Sequence, residues 1–281
     1  MKWRGRRGSR NIVDRRRVSG GRAAGGIGGV AGVLILLAGL YFGVDTSGFV
    51  DLGGGGSQQS AEVSPADERA AEFVSVTLAD TEEVWADVFR EQVDGPYNAP
   101  ELVLFKGAVQ SACGGATAQS GPFYCPADKR AYLDTNFFTT LEQRLGAGGD
   151  FAAAYVVAHE VAHHVQNELG ILGQANQIRA QVSERESNEI SVRIELQADC
   201  YSGIWARRAD EKFDSLERGD IAEAMNAAAQ IGDDTLQRNA GRTVTPHTFT
   251  HGTSEQRQRW FRTGYETGDL AACDTFGTDR L

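Results

Sequence analysis

The chain has 281 residues, 41% of them hydrophobic, and a formal net charge of −10, which is long enough and apolar enough for one sizeable core. Residues 1–22 carry nine basic residues against Asp14 alone, a charge of +8 that leaves −18 on the rest. A basic arm can bind nucleic acid, but this one runs straight into apolar chain, so no nucleic-acid partner is expected.

Residues 23–44, "AAGGIGGVAGVLILLAGLYFGV", hold no charge. As a helix they would extend roughly 33 Å at ~1.5 Å per residue, enough for a ~30 Å hydrocarbon core. They read as a membrane anchor. A cleaved signal peptide and a buried core helix are the alternatives, but the stretch exceeds a usual signal h-region and no clear A-x-A site follows. Arginines on one flank and acids beyond the other predict a cytoplasmic arm (1–22) and an extracytoplasmic domain. Residues 45–66, rich in Gly and Ser, have the composition of a flexible linker, and one domain is expected over 67–281.

Within that domain, "ADERAAEFVSVTLADTEEVWADVFREQ" (66–92) has helical spacing of its apolar residues. The runs "PELVLFKGAV" (100–109) and "KRAYLD" (129–134) read as strands of a small sheet. Between them Cys113 and Cys125 flank a Gly-rich loop short enough to close locally, leaving Cys200 and Cys273 to pair across the fold. Disulfides suit an extracytoplasmic domain, four buried free thiols being the alternative, and no C-x-x-C spacing suggests a thiolate zinc site. "NFFTTLEQRL" reads as a short helix stopped by "GAGGD", after which Asp150 stands where an N-cap belongs and a helix runs to Gly170. Further helices are expected over 187–213 and "GDIAEAMNAAAQIGDD", and Thr253 with Gln256 has the spacing of a capping box opening a last one.

The chemistry gathers on the 150–170 helix, which contains "HEVAH". Positions four apart differ by about 40° around a helix, so His159 and His163 project from one face toward a single metal ion. Glu160, one step from His159, stands beside that ion, where a base for metal-bound water belongs. The motif alone also fits a solvated helical stripe, but Val156, Val157, Val161 and Val165 crowd this one with apolar neighbours. "ELQAD" then puts Glu195 and Asp199 four apart amid apolar residues, and buried acids are costly unless paired or bound to metal. Glu195 can complete the ligand set and Asp199 can accept the outer N–H of a ligating imidazole. The bland alternative pairs these acids with Arg193 or Arg207. His164 points about 100° away from His163 and reads as a flanking residue. Pro246, Gly252 and the threonines around His247 and His251 argue against a second helical pair. His251 is a candidate hydrogen-bond donor to a developing oxyanion, or a structural histidine at a helix start.

Four blocks in order, "SACGGATAQSGPFYCPADKRAYLD", "AYVVAHEVAHHVQNELG", "RIELQADCYSGIWA" and "FTHGTSEQRQRWF", resemble the bacterial membrane-anchored neutral zinc metallopeptidase family, of gluzincin type, over nearly the whole domain. The resemblance implies zinc ligation by His159, His163 and Glu195 with Glu160 as base, and it includes His251 without assigning it a role. It implies an α+β, helix-rich zincin-like fold with a small β-sheet, preceded by one transmembrane helix. The expectation is a membrane-anchored peptidase using one zinc per chain on peptide or protein substrates, laid extended along the small sheet on "KRAYLD". A catalytically silent anchored zinc protein that binds a partner through the same cleft is the alternative, as is a zinc hydrolase acting on another amide.

Overall fold

The computed structural model describes residues 1–17, 63–117 and 120–281. Helix α1, Pro65–Val88, opens with a reciprocal capping box between Ser64 and Asp67 and with Pro65 in its first turn, and it continues through a π turn, Phe89–Val93. The strands follow: β2 (Glu101–Phe105), β3 (Ala108–Ser111), β4 (Gly114–Thr117), β5 (Phe123–Cys125) and β6 (Arg130–Asp134), joined by a short N-terminal strand β1 (Ile12–Asp14). The main sheet has the order β1-β2-β6-β5, parallel across the first three strands, with β5 antiparallel to β6; β3 and β4 form a separate hairpin.

Side-chain alternation along the strands divides two cores. Leu102, Leu104, Ala131 and Leu133 face the helices, while Val103, Phe105 and Tyr132 face the β3–β4 hairpin with Val109 and Ala116. The remaining helices are α2 (Phe137–Gln143), α3 (Asp150–Glu168), α4 (Ile171–Arg179), α5 (Glu184–Phe213), α6 (Asp220–Gln230), α7 (Asp233–Asn239) and α8 (Ser254–Thr267). Helix α3 is central, packing on α1, α5, α6 and the strands β5 and β6, which is why its alanines and valines are buried nearly all round. Helices α5 and α8 cross in backbone contact. A Cβ on Gly264 would lie 1.8 Å from the Cys200 carbonyl oxygen, and one on Gly203 2.0 Å from that of Phe261, so only glycine permits the crossing.

Both expected disulfides are present, Cys113–Cys125 and Cys200–Cys273. Thr253 caps α8 reciprocally with Gln256, as its spacing predicted. Helices α4 and α7 went unforeseen, and Ser183 with Glu186 starts α5 earlier than residue 187. Asp150 is not an N-cap: Gly149 takes that place, and Asp150 instead accepts from the Met1 ammonium at 2.6 Å. "KRAYLD" offers no free edge, because β6 is paired on both sides, with β2 and β5.

The largest departure concerns the basic arm. Residues 1–17 belong to the domain: β1 pairs with β2, Trp3 is buried edge-on against Phe73, and Met1 lies in the core. Their positive charge meets acids of the domain, Lys2 with Asp214, Arg6 with Asp80, Arg7 with Glu83 and Arg16 with Glu68. Residues 1–17 are thus packed as one body with the sheet, where the charge rule expected an arm set apart from the domain. The domain therefore takes in 1–17 and resumes at Ser64 rather than Asp67. The candidate anchor (23–44) and most of the linker (45–66) lie outside the described residues, among which no helix is long and apolar enough to cross a membrane.

Candidate metal centre

Helices α3 and α5 pack side by side and bring "HEVAH" against "ELQAD". His159 Nε2 lies 3.0 Å from Glu195 Oε2, and His163 Nε2 lies 3.5 Å from Glu195 Oε1. A tetrahedral zinc with bonds near 2.0–2.1 Å separates its ligand atoms by about 3.3 Å. Two imidazoles and a carboxylate at this spacing fit one zinc ion. Burial opposes the Glu195 charge, but His163 and His159 outweigh it and hold the carboxyl well below its ordinary range. Burial likewise opposes a proton on His159, yet Asp199 and Glu195 raise that imidazole to about 9.

Glu160 is buried at 8% exposure and is not among the converging donors. Burial pushes its carboxyl above the ordinary value, with His163 and His159 partly offsetting the effect. A carboxyl so raised is matched to taking and returning a proton.

Asp199 is fully buried, with Oδ1 3.0 Å from His159 Nδ1. Nδ1 nevertheless makes no aligned hydrogen bond. The pair is a close electrostatic contact. Tyr155 and Arg257 hold the carboxylate from the other side. Tyr155 donates to Oδ1 at 2.5 Å, and Arg257 donates to Oδ2 at 2.8 Å and to Oδ1 at 3.0 Å. Against the cost of burial, Arg257 does most to keep Asp199 below its ordinary value. The alternative pairings do not form, since Arg193 donates to the Thr275 and Thr278 carbonyls and Arg207 pairs with Glu211. Sequence reasoning missed Tyr155 and Arg257. Arg257 did leave a signal: it heads the stripe 257, 260, 261, 264 whose other members are Trp260, Phe261 and Gly264, all buried.

His251 is not one of the ligand donors and stays partly open, its side chain 46% exposed. Its Nδ1 lies 3.3 Å from Asp233 Oδ1. Asp233 Oδ2 in turn accepts the backbone N–H groups of Thr250, His251 and Gly252, so the first residue of α7 fixes the loop carrying the histidine. Partial loss of solvation opposes a proton on the His251 imidazole, and Asp233 with Glu195 outweighs it and raises the group. His247 sits in a 3-10 turn, Pro246–Thr248, apart from the donors. His164 is structural, as its direction on the helix suggested: buried, it bonds Tyr124 Oη at 3.0 Å and the Asn98 carbonyl at 2.5 Å.

Residues 1–276 match the profile of the family described as "Putative neutral zinc metallopeptidase". The chain belongs to this family. Among relatives of this zinc metallopeptidase family, "Uncharacterized protein YpfJ" of Escherichia coli K12 is 45% identical over 286 residues, covering 99% of each chain. "Uncharacterized protein Rv2575" of Mycobacterium tuberculosis H37Rv is 47% identical over 195 residues, 66% of this chain and 65% of its own. No solved structure matches. The family match begins at residue 1 and so takes in the arm. A second convergence of acids, Asp150, Asp220 and Glu223, adjoins the Met1 ammonium, which pairs with the first two.

Proposed function

We propose that the protein is a zinc-dependent peptidase in which His159, His163 and Glu195 hold one zinc and Glu160 is the general base. The observation that carries this reading is the convergence of those three donor groups beside a buried carboxyl that does not join them. Bound zinc supplies a Lewis acid that polarises a carbonyl and makes water acidic enough to lose a proton near neutrality. Glu160 takes that proton and returns it to the leaving amine. Asp199, braced by Tyr155 and Arg257, orients His159. His251, aligned by Asp233 and open to solvent, is our candidate donor to the oxygen on which negative charge develops. With β6 internal, an extended substrate has β5 as the available edge next to α3.

The two disulfides support a site of action outside the cytoplasm. Residues 23–44 remain our candidate membrane contact on composition.

Glu160→Gln tests the catalytic reading. The full chain is loaded with zinc and offered a broad peptide library, and the variant should keep its zinc while turnover falls at least ~10²-fold, the usual worth of a general base. Unchanged turnover in Glu160→Gln, or a zinc-loaded parent that cleaves nothing, favours the catalytically silent zinc protein.

A further inference from the structure

The two histidines of "HEVAH" are supported in different ways. His159 faces the charged Asp199, whereas His163 faces an amide: its Nδ1 lies 2.9 Å from Gln166 Oε1, three residues along the same helix. Gln166 is fully buried, and its Nε2 donates to the Ile194 carbonyl at 2.8 Å and to Gln197 Oε1 at 3.0 Å. Gln197, also buried and lying between Glu195 and Asp199 in "ELQAD", donates its own Nε2 to the Cys273 carbonyl at 3.1 Å. Cys273 is bonded to Cys200, three residues beyond Gln197 on α5.

Amide orientation is usually an inference from neighbours, and here the neighbours leave one solution. A backbone carbonyl only accepts, so the Cys273 carbonyl requires Gln197 to present Nε2 to it and Oε1 to Gln166. The Ile194 carbonyl and Gln197 Oε1 together require Gln166 to present its Nε2 to them and its Oε1 to His163. An amide oxygen only accepts, so His163 must carry its proton on Nδ1, which leaves the Nε2 lone pair directed at Glu195 and the metal position. Reversing either amide would set two buried acceptors face to face, a loss comparable to leaving a buried group unpaired.

We propose that Gln166 and Gln197 are positioning residues for the metal centre, forming a neutral relay from the disulfide-bonded Cys273 carbonyl through two amides to His163 that fixes this ligand's tautomer and ring angle. The inference rests on the reading of His159, His163 and Glu195 as zinc ligands. Gln166 touches a ligand; Gln197 touches none and acts only through Gln166.

The test is a zinc titration of the full chain against a competing chelator, for the parent, Gln166→Leu, Gln197→Met, the double variant and His163→Ala. Loss of a ligand's outer partner typically weakens metal binding ~10–100-fold. Gln166→Leu should fall in that range, Gln197→Met should weaken binding by a smaller factor, and adding Gln197→Met to Gln166→Leu should change little further. Ring-nitrogen chemical shifts of 15N-histidine-labelled, zinc-free protein give a second readout that packing alone would not move. His163 should hold its proton on Nδ1 in the parent and lose that preference in Gln166→Leu. This measurement needs only a variant that folds, and Gln197→Met should show the same change in lesser degree if Gln166→Leu does not. The relay is overturned if Gln166→Leu binds zinc as the parent does, if the Gln197→Met loss persists undiminished in the double variant, or if the tautomer is unchanged. A parent that binds no zinc, or one matched by His163→Ala, overturns the ligand assignment itself.

Discussion

Arg6→Ala tests whether the N-terminal residues are part of the fold. The Arg6 guanidinium grips Asp80 with both terminal nitrogens, at 2.8 and 2.6 Å, and lies 4.4 Å above the Phe213 ring. The Asp80 side chain is 4% exposed, so removing the arginine strands a buried carboxylate. Breaking such a pair costs about 3–5 kcal/mol, and losing the ring contact about 0.5–1 kcal/mol more. At about 2–4 °C per kcal/mol for a domain of this size, the melting temperature should fall by about 10 °C near pH 8. The pH dependence carries its own sign. Burial raises Asp80 from 3.8 to about 6 even with Arg6 opposing it. Between those values the folded state holds a proton the unfolded state has released, so this group's contribution to stability falls as pH rises through that window. Without Arg6 the carboxyl rises further and the window widens upward. The penalty of Arg6→Ala should therefore be small at pH 5, where Asp80 is largely protonated when folded, and full at pH 8. Urea denaturation of the full chain at the two pH values measures it. No loss at pH 8, or equal losses at both, would refute the docking of the arm through this pair.

Three further outcomes are expected. Glu195→Gln should weaken zinc binding well beyond the ~10–100-fold expected for Asp199→Asn, because the first removes a ligand and the second only the partner of one; the reverse order in a chelator competition would overturn the assignment. Arg10→Cys and Asp279→Cys, both at exposed positions, should react alike with a membrane-impermeant thiol reagent on intact cells, and labelling of one alone would separate arm from domain. Mass mapping without reductant should recover Cys113 joined to Cys125, a short loop worth ~3 kcal/mol on the chain-entropy model, and free thiols in protein from its native compartment would contradict it.

The centre was legible because helical geometry is local. His159 and His163, and Glu195 and Asp199, each lie four apart, and that spacing determines which side chains share a face whatever the rest of the chain does. The strand β6 and the α8 cap were legible for the same reason. What escaped depends on distant partners. Three residues, Ile12–Asp14, become a strand only because β2 offers an edge, and nothing in "IVD" announces it. Charge read along the sequence also missed the partners of basic residues 1–17, which pair with Asp80, Glu83 and Asp214, acids that only folding brings near. Tyr155 and Arg257 are paired through Asp199 across three helices, and Gln166 through a residue of the neighbouring helix.

The parallel pairing of β1 with β2 affects how the protein can be handled and how it is made. A fragment begun after residue 62, where composition suggests a clean cut, would strip the cover from β2 and leave Leu102, Val103 and Leu104 beside an open row of backbone donors and acceptors. Uncovered edges of that kind recruit strands from other molecules, so such a fragment should aggregate. Synthesis imposes the same hazard briefly on every copy. Residues 12–14 emerge before the strand that receives them, and β2 waits for their return after it has formed. Pairing across so long a separation in sequence is slow, and the delay leaves the edge of β2 open to mispairing and to chaperones.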